Sequence, residues 1–184
     1  MKLNKNIVFT LLALIVVAAT YRILPNRPFG FEPQTAIALF AGSIIKDKKY
    51  AFALPLLSML ISDTIYQALF SAGLTAIPGF YSGQFLNYLL FAGLTVIGFF
   101  VNSKNVWQIG VGALTAPTLY FIASNFMVWI GGGGYHHPKT VAGLMQTYVD
   151  GIPFYGMGIY STIVFSTVFF GGYALLKGKE LRAA

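Results

Sequence analysis

The sequence contains no cysteine, and of its 184 residues only 12 are Lys or Arg and 5 are Asp or Glu. Without cysteine, a disulfide staple and a thiolate metal site are both excluded. A soluble domain carries roughly a quarter charged residues; at 9% charged this chain cannot cover a surface that faces water. A phosphate loop of the Gly-x-x-x-x-Gly-Lys type is also missing, so any use of ATP falls to another chain. What is present is apolar: 57% of residues are hydrophobic and 16% aromatic, with mean hydropathy +0.71. This is the composition of an integral membrane protein.

The net charge of +7 does not point to nucleic acid, because the positive residues sit in short clusters between apolar runs and make no basic groove. The runs cover about 7–24, 31–45, 50–72, 84–101, 106–130 and 154–176. A spanning helix needs about 20 mostly apolar residues, and five of the six meet or approach that length. The expected fold is an all-α membrane protein, a single transmembrane domain over 1–184 built as a bundle of about six transmembrane helices. With both termini inside, Lys2, Lys5, Lys46, Lys48, Lys49, Lys104, Lys177, Lys179 and Arg182 lie on the inner side, and Arg22, Arg27 and Lys139 on the outer. That asymmetry is what the positive-inside rule asks for. The first run also has features of a signal peptide, with two lysines, the apolar core Ile7–Ala19 and small residues at Ala18-Ala19; the six-helix count takes it as a retained span.

Two stretches depart from a simple bundle. Between Pro33 and Lys46 a helix rises only about 20 Å, so the second span needs neighbours, or the Pro- and Gly-rich stretch Arg22 to Pro33, to complete a crossing. Between the fifth and sixth runs, Val141, Leu144, Met145, Tyr148 and Val149 recur at helical spacing. They predict a short amphipathic helix in the outer loop, capped by Thr140 and ending at Asp150-Gly151.

Asp63 is the one acidic residue deep inside a run, roughly 20 Å along its helix from Lys49, with Tyr66 and Gln67 on the same stripe. An ionisable group there must face protein or water; it either touches a ligand or pairs with Arg22 or Arg27. Other polar groups gather at the same end: Arg22 and Asn26, Glu32, Gln84 and Asn87, Asn125 and Trp129 one turn apart. Trp129 can equally anchor at the membrane interface. From these, Asp63, Gln67, Asn87, Asn125, Trp129, Arg22 and Glu32 are the candidate substrate-binding residues of an outward-facing cavity. Gly131 to Gly134, then Tyr135-His136-His137-Pro138, form a loop that can turn with positive φ and offer amides to an anion. Gly132, Gly133, His136, His137 and Tyr148 are the candidate lid, with a hinge as the plainer reading. His136 and His137 offer metal ligands that Glu32, Asp63 or Asp150 would complete, but adjacent histidines lack the spaced partner of a metal site; a solvated loop is the plainer reading, and no metal or other cofactor is expected. Ala38 and Gly42 form a small-xxx-small pair that lets helices approach closely, within the bundle or at a docked partner.

Several stretches carry a resemblance. Phe31-x-Pro33-x-x-Ala36-x-Ala38-Leu39-Phe40-Ala41-Gly42, Leu54-Pro55-Leu56 with Ser62-Asp63, Asn125-x-x-x-Trp129, and Tyr148 with Gly151-x-Pro153-Phe154 resemble an uncharacterised family of small bacterial membrane proteins. That family is in turn similar to the substrate-binding S components of energy-coupling-factor transporters. The similarity runs from about Tyr21 to Gly172 and implies a bundle of about six helices in the bacterial cytoplasmic (inner) membrane. It also implies a solute pocket facing outward and a coupling subunit with two ATPases as partners. The first run has no Ala-x-x-x-Ala docking pair, and Ala38-x-x-x-Gly42 is the nearest one.

Three function classes follow. The first is a transporter subunit capturing a small solute. The second is an accessory subunit of a larger membrane complex with no diffusible ligand. The third, an intramembrane enzyme, is disfavoured, since hydrolysis needs a paired acid and base or a held metal. The expected partners are the lipid bilayer, a membrane protein and a small solute, with no nucleic acid.

Overall fold

The computed structural model describes residues 5–24 and 28–183. Lys2, Asn26 and Arg27 lie outside the described residues, as do the side chains of Lys5, Lys177, Lys179 and Arg182. Among the described residues there are six helices and no strand: α1 (Lys5–Ile23), α2 (Gln34–Ile44), α3 (Lys48–Ser71), α4 (Gln84–Phe99), α5 (Val106–Gly131) and α6 (Val141–Ala183). Each expected run is a helix. Among the described residues three stretches are long and apolar enough to cross a membrane: α3, α5 and Val141–Leu175 of α6. Their outward faces carry large apolar side chains such as Leu57, Leu60 and Ile61 on α3, Val111, Leu114 and Ile122 on α5, and Val164 and Val168 on α6. A soluble protein puts charge in such places; this is the surface of a membrane protein.

The helix ends are set by local chemistry. Asp47 caps α3 by accepting from the Lys49 amide at 3.0 Å, and Asn105 caps α5 by accepting from the Gln108 amide at 3.2 Å. Thr140 caps α6 as expected, its Oγ1 accepting from the Gly143 amide at 3.1 Å. At the far end of α5, Gly132 turns into the left-handed region at φ 72° and the Gly133 amide returns to Val128 O at 2.9 Å, a glycine-terminated stop.

The short α2 is the centre of the bundle. It packs against α3, α4, α5 and α6, and Gln34, Ala36, Ile37, Ala38, Leu39, Phe40, Ala41 and Gly42 are all buried. A helix that is apolar around its whole circumference belongs inside, and one that meets no lipid does not need the length of a span. Against α4 the approach is backbone to backbone. A Cβ at Gly42 would lie 2.2 Å from Thr95 O and 2.8 Å from Gly98 Cα, and one at Gly98 only 2.4 Å from Leu39 O.

One expectation is corrected. The amphipathic stretch is helical from Val141, but it does not end at Asp150-Gly151 or stand apart in the loop. α6 runs unbroken through Pro153 to Ala183. Proline removes one backbone hydrogen bond, and packing on α5 compensates. Phe121 stacks on Tyr155 with ring centroids 4.6 Å apart, and the Tyr148 hydroxyl donates to Ile122 O at 3.1 Å. Gly151 is there for closeness and not for termination: a Cβ would meet Asn125 Oδ1 at 2.6 Å.

Successive helices reverse direction, so two ends differ. One gathers the end of α1 at Arg22 and the starts of α2, α4 and α6. The other carries Lys46, Lys48, Lys49 and Lys104. They are called the arginine end and the lysine end below.

Candidate functional site

At the arginine end the polar residues separate into three groups. The first is a buried ion pair. Asp63, only 1% exposed, has one carboxylate oxygen bound by the Arg22 guanidinium. Its other oxygen accepts from Gln84 Nε2 and from the Tyr88 hydroxyl, each at 2.5 Å. Arg22 also donates to Ser62 Oγ at 2.6 Å, lies 3.8 Å from Glu32 Oε2, and receives the Tyr66 hydroxyl on its backbone carbonyl at 2.9 Å. Of the two sequence readings of Asp63, the pairing with Arg22 is the one observed. Its oxygens are taken by protein donors, as the cost of a buried charge requires, and it lines none of the cavities described below. Gln67 is turned to the neighbouring loop, where its Oε1 accepts the Phe80 amide at 3.2 Å.

The second group is a cavity of about 360 Å³ between the start of α2, the C-terminal half of α5 and α6. Glu32 and Asn125, both expected at the site, line it. So does Gln34, which the sequence reading passed over. Gln34 is 1% exposed, and neither its Nε2 nor its Oε1 has a hydrogen-bond partner. Leaving a buried amide unsatisfied costs roughly 1–3 kcal/mol. Rings from Phe91, Tyr120, Phe121 and Tyr155 wall the cavity. Phe91 and Tyr120 are 5.1 Å apart. Asn125 is steadied by its Nδ2 donating to Phe121 O at 2.9 Å.

A second cavity, about 540 Å³ between α4 and α5, shares Tyr120, Ser124 and Val128 with the first. Asn87 lines it and accepts the Tyr120 hydroxyl on Oδ1 at 2.8 Å, so Tyr120 is the partition between the two. Gly133 is at its rim.

The third group is the loop 131–140. Trp129 Nε1 donates to Pro138 O at 2.9 Å, and the Lys139 ammonium lies 5.4 Å over the Trp129 ring. His136, at φ 56°, places Nδ1 2.6 Å from Gly132 O, and His137 Nε2 lies 2.6 Å from Asp150 Oδ2. The loop is therefore tied to α5 at Trp129 and to α6 at Asp150, with His136 closing on Gly132 O within it. Trp129 serves this tie and does not line the first cavity. Among the described residues no group of three or more His, Asp or Glu side chains is placed to hold a metal ion.

The model of a family of unknown function, DUF6580, matches residues 2–184. The chain belongs to that family. Neither the curated proteins nor the solved structures contain a match. Membership of DUF6580 agrees with the resemblance to an uncharacterised family, and its function has to be argued from the geometry of the site.

Ala38 and Gly42, the pair expected to bring helices close within the bundle or at a docked partner, are buried within the bundle, with Gly42 against α4. That contact belongs to the chain's own packing. The residues the sequence reading missed are Gln34, Tyr88, Tyr120 and Tyr155. Gln34 was open to notice as the one amide in an otherwise apolar helix, directly after Pro33. The tyrosines carry no such signal, because an aromatic residue in an apolar run reads as core.

Proposed function

We propose that this chain is a substrate-binding subunit of a membrane transporter, capturing a small solute in the cavity between α2, α5 and α6. The observation that carries the reading is that cavity: about 360 Å³, walled by rings, with a buried unpaired amide at Gln34. Ligand pockets combine an apolar lining with a few placed polar groups, and a void closed to any solute has no use for an unsatisfied amide. The proposal includes a multi-pass chain with six spans in a bacterial cytoplasmic membrane and both termini inside, which puts the arginine end and its cavity outside. Similarity to the S components of energy-coupling-factor transporters is part of the same proposal, and a coupling subunit with ATPases is the partner it implies. Within this reading the loop 131–140 is the lid, released by opening the His137–Asp150 and Trp129–Pro138 contacts. Catalysis is not part of it.

The test uses protein extracted gently from its own membranes and weighed by native mass spectrometry. A small bound mass is expected on the unaltered chain and is expected to be absent from Gly158→Leu. A Cβ at Gly158, which lines the cavity, meets nothing nearer than Pro117 Cβ at 4.0 Å, so the first carbon of the added side chain enters without a clash and the larger Leu is expected to take up cavity volume. Fixed protein companions with no small mass would move the chain to the accessory-subunit class. A small mass indifferent to Gly158→Leu would place the ligand elsewhere.

A further inference from the structure

We infer that the cavity selects a neutral, flat solute presenting a hydrogen-bond donor beside an acceptor, as in a lactam or cyclic urea, and that Gln34 is the residue that reads that edge. The inference rests on the proposed capture role and narrows it to a class of ligand.

Charge decides first. Among the described residues no Lys, Arg or His lines the cavity, so from these residues a carboxylate or phosphate entering it would lose its hydration with no cation in return. Glu32 is the one acidic lining residue, and its Oε2 is already 3.8 Å from Arg22 Nε. A cationic solute would have to compete with that guanidinium. A neutral solute meets neither obstacle.

Shape follows from the walls. The Phe91–Tyr120 pair and the Phe121–Tyr155 stack, with centroids 5.1 Å and 4.6 Å apart, line the cavity with aromatic surface, which suits a flat body. Gln34 supplies the edge. Its amide carries a donor and an acceptor side by side in one plane, both buried and both without a partner. A lactam is the complement: its N–H donates to Gln34 Oε1 while its carbonyl accepts from Gln34 Nε2. A single hydroxyl or ketone would leave one of the two amide groups still unpaired.

The experiment takes the full chain in lipid nanodiscs and three probes of similar size. These are 2-quinolone, a neutral bicyclic lactam; 2-naphthoate, an anion; and 2-naphthylmethylammonium, a cation. Binding is measured for the unaltered chain, Gln34→Leu and Gly158→Leu, with the Gly158→Leu signal taken as partition into lipid. The expected result is that 2-quinolone binds, that Gln34→Leu weakens it roughly 10- to 100-fold through the loss of two hydrogen bonds, and that the charged probes stay at background. Gln34→Leu is also expected to raise the unfolding temperature of the ligand-free chain, because it removes an unsatisfied amide. Should Leu prevent folding, Gln34→Met gives the same reading. Lactam binding untouched by either Gln34 variant overturns the role of Gln34. A charged probe that binds above background in place of 2-quinolone overturns the ligand class and leaves capture standing. If no probe rises above the Gly158→Leu background, the ligand class falls, and the capture reading falls with it only if native mass spectrometry also finds no small bound mass.

Discussion

Asp63→Ala is expected to destabilise the ligand-free chain by about 3–5 kcal/mol, a fall of roughly 10 °C in unfolding temperature for a chain of this size. The reason is what remains. Arg22 keeps its charge in a site where its side chain is only 12% exposed, and Glu32 at 3.8 Å is too distant to replace a direct bond. Tyr88 loses its acceptor as well, whereas Gln84 retains Gly79 O at 3.1 Å. Asp63→Asn keeps an acceptor but not the charge, so it is expected to fall between Ala and the unaltered chain. The double variant Arg22→Leu with Asp63→Leu is expected to recover most of the loss, because a buried pair replaced by apolar groups is often close to neutral. Thermal unfolding in one detergent, with no solute added, reads all four chains. Equal unfolding temperatures for Asp63→Ala and the unaltered chain would mean that no such pair forms. A stability loss without ligand is also what separates a structural carboxylate from one that contacts solute.

That carboxylate illustrates what a sequence of this kind reveals. A charge deep in an apolar run must have a partner, so the burial of Asp63 and its need for a donor follow from the sequence. Which donor it finds does not. Arg22 and Arg27 flank the same proline-rich turn and are equivalent on paper, and Gln84 and Tyr88 arrive from a helix that begins more than twenty positions later. The existence of the helices was legible because lipid and core impose the same apolar runs. The central place of α2 was half legible: its shortness required neighbours, but only packing shows that four helices surround it. The course of α6 was misread at Asp150-Gly151-Ile152-Pro153 because glycine and proline stop helices in water-exposed chains. Here tertiary contact with α5 holds the helix through them. Gln34 stood out only as the one amide of α2. A glutamine after a proline at a helix start resembles an ordinary exposed first turn, and whether a buried amide has a partner is a property of the packed bundle alone. The candidate site was therefore legible as an end of the molecule and as two of its lining residues, Glu32 and Asn125. The residue that gives the cavity its chemistry was not.

Gly42→Val is expected to destabilise the bundle at or above the top of the roughly 1–3 kcal/mol range for overpacking. Even the first added carbon would sit 2.2 Å from Thr95 O and 2.8 Å from Gly98 Cα, and both are backbone atoms that no rotamer change can move. The helices α2 and α4 must separate, and the contacts of Leu39 and Ala38 with α4 and α5 weaken with them. Gly93 lies on the same α4 with nothing within 4 Å of an added Cβ, so Gly93→Val is the control and is expected to change stability by no more than about 0.5 kcal/mol. Gly98→Val is expected to behave as Gly42→Val does, and the two together to cost less than their sum, since one separation of the helix pair accommodates both. The same measurement separates the two uses of the Ala38–Gly42 pair, within the bundle or at a docked partner. Were Gly42 at a surface for a partner, Gly42→Val would leave the isolated chain as stable as before and disturb only a complex. If it is the crossing point of α2 and α4, the isolated chain itself weakens. The cavity should then suffer as well, because the helix displaced at Gly42 is the one that carries Gln34 at its other end.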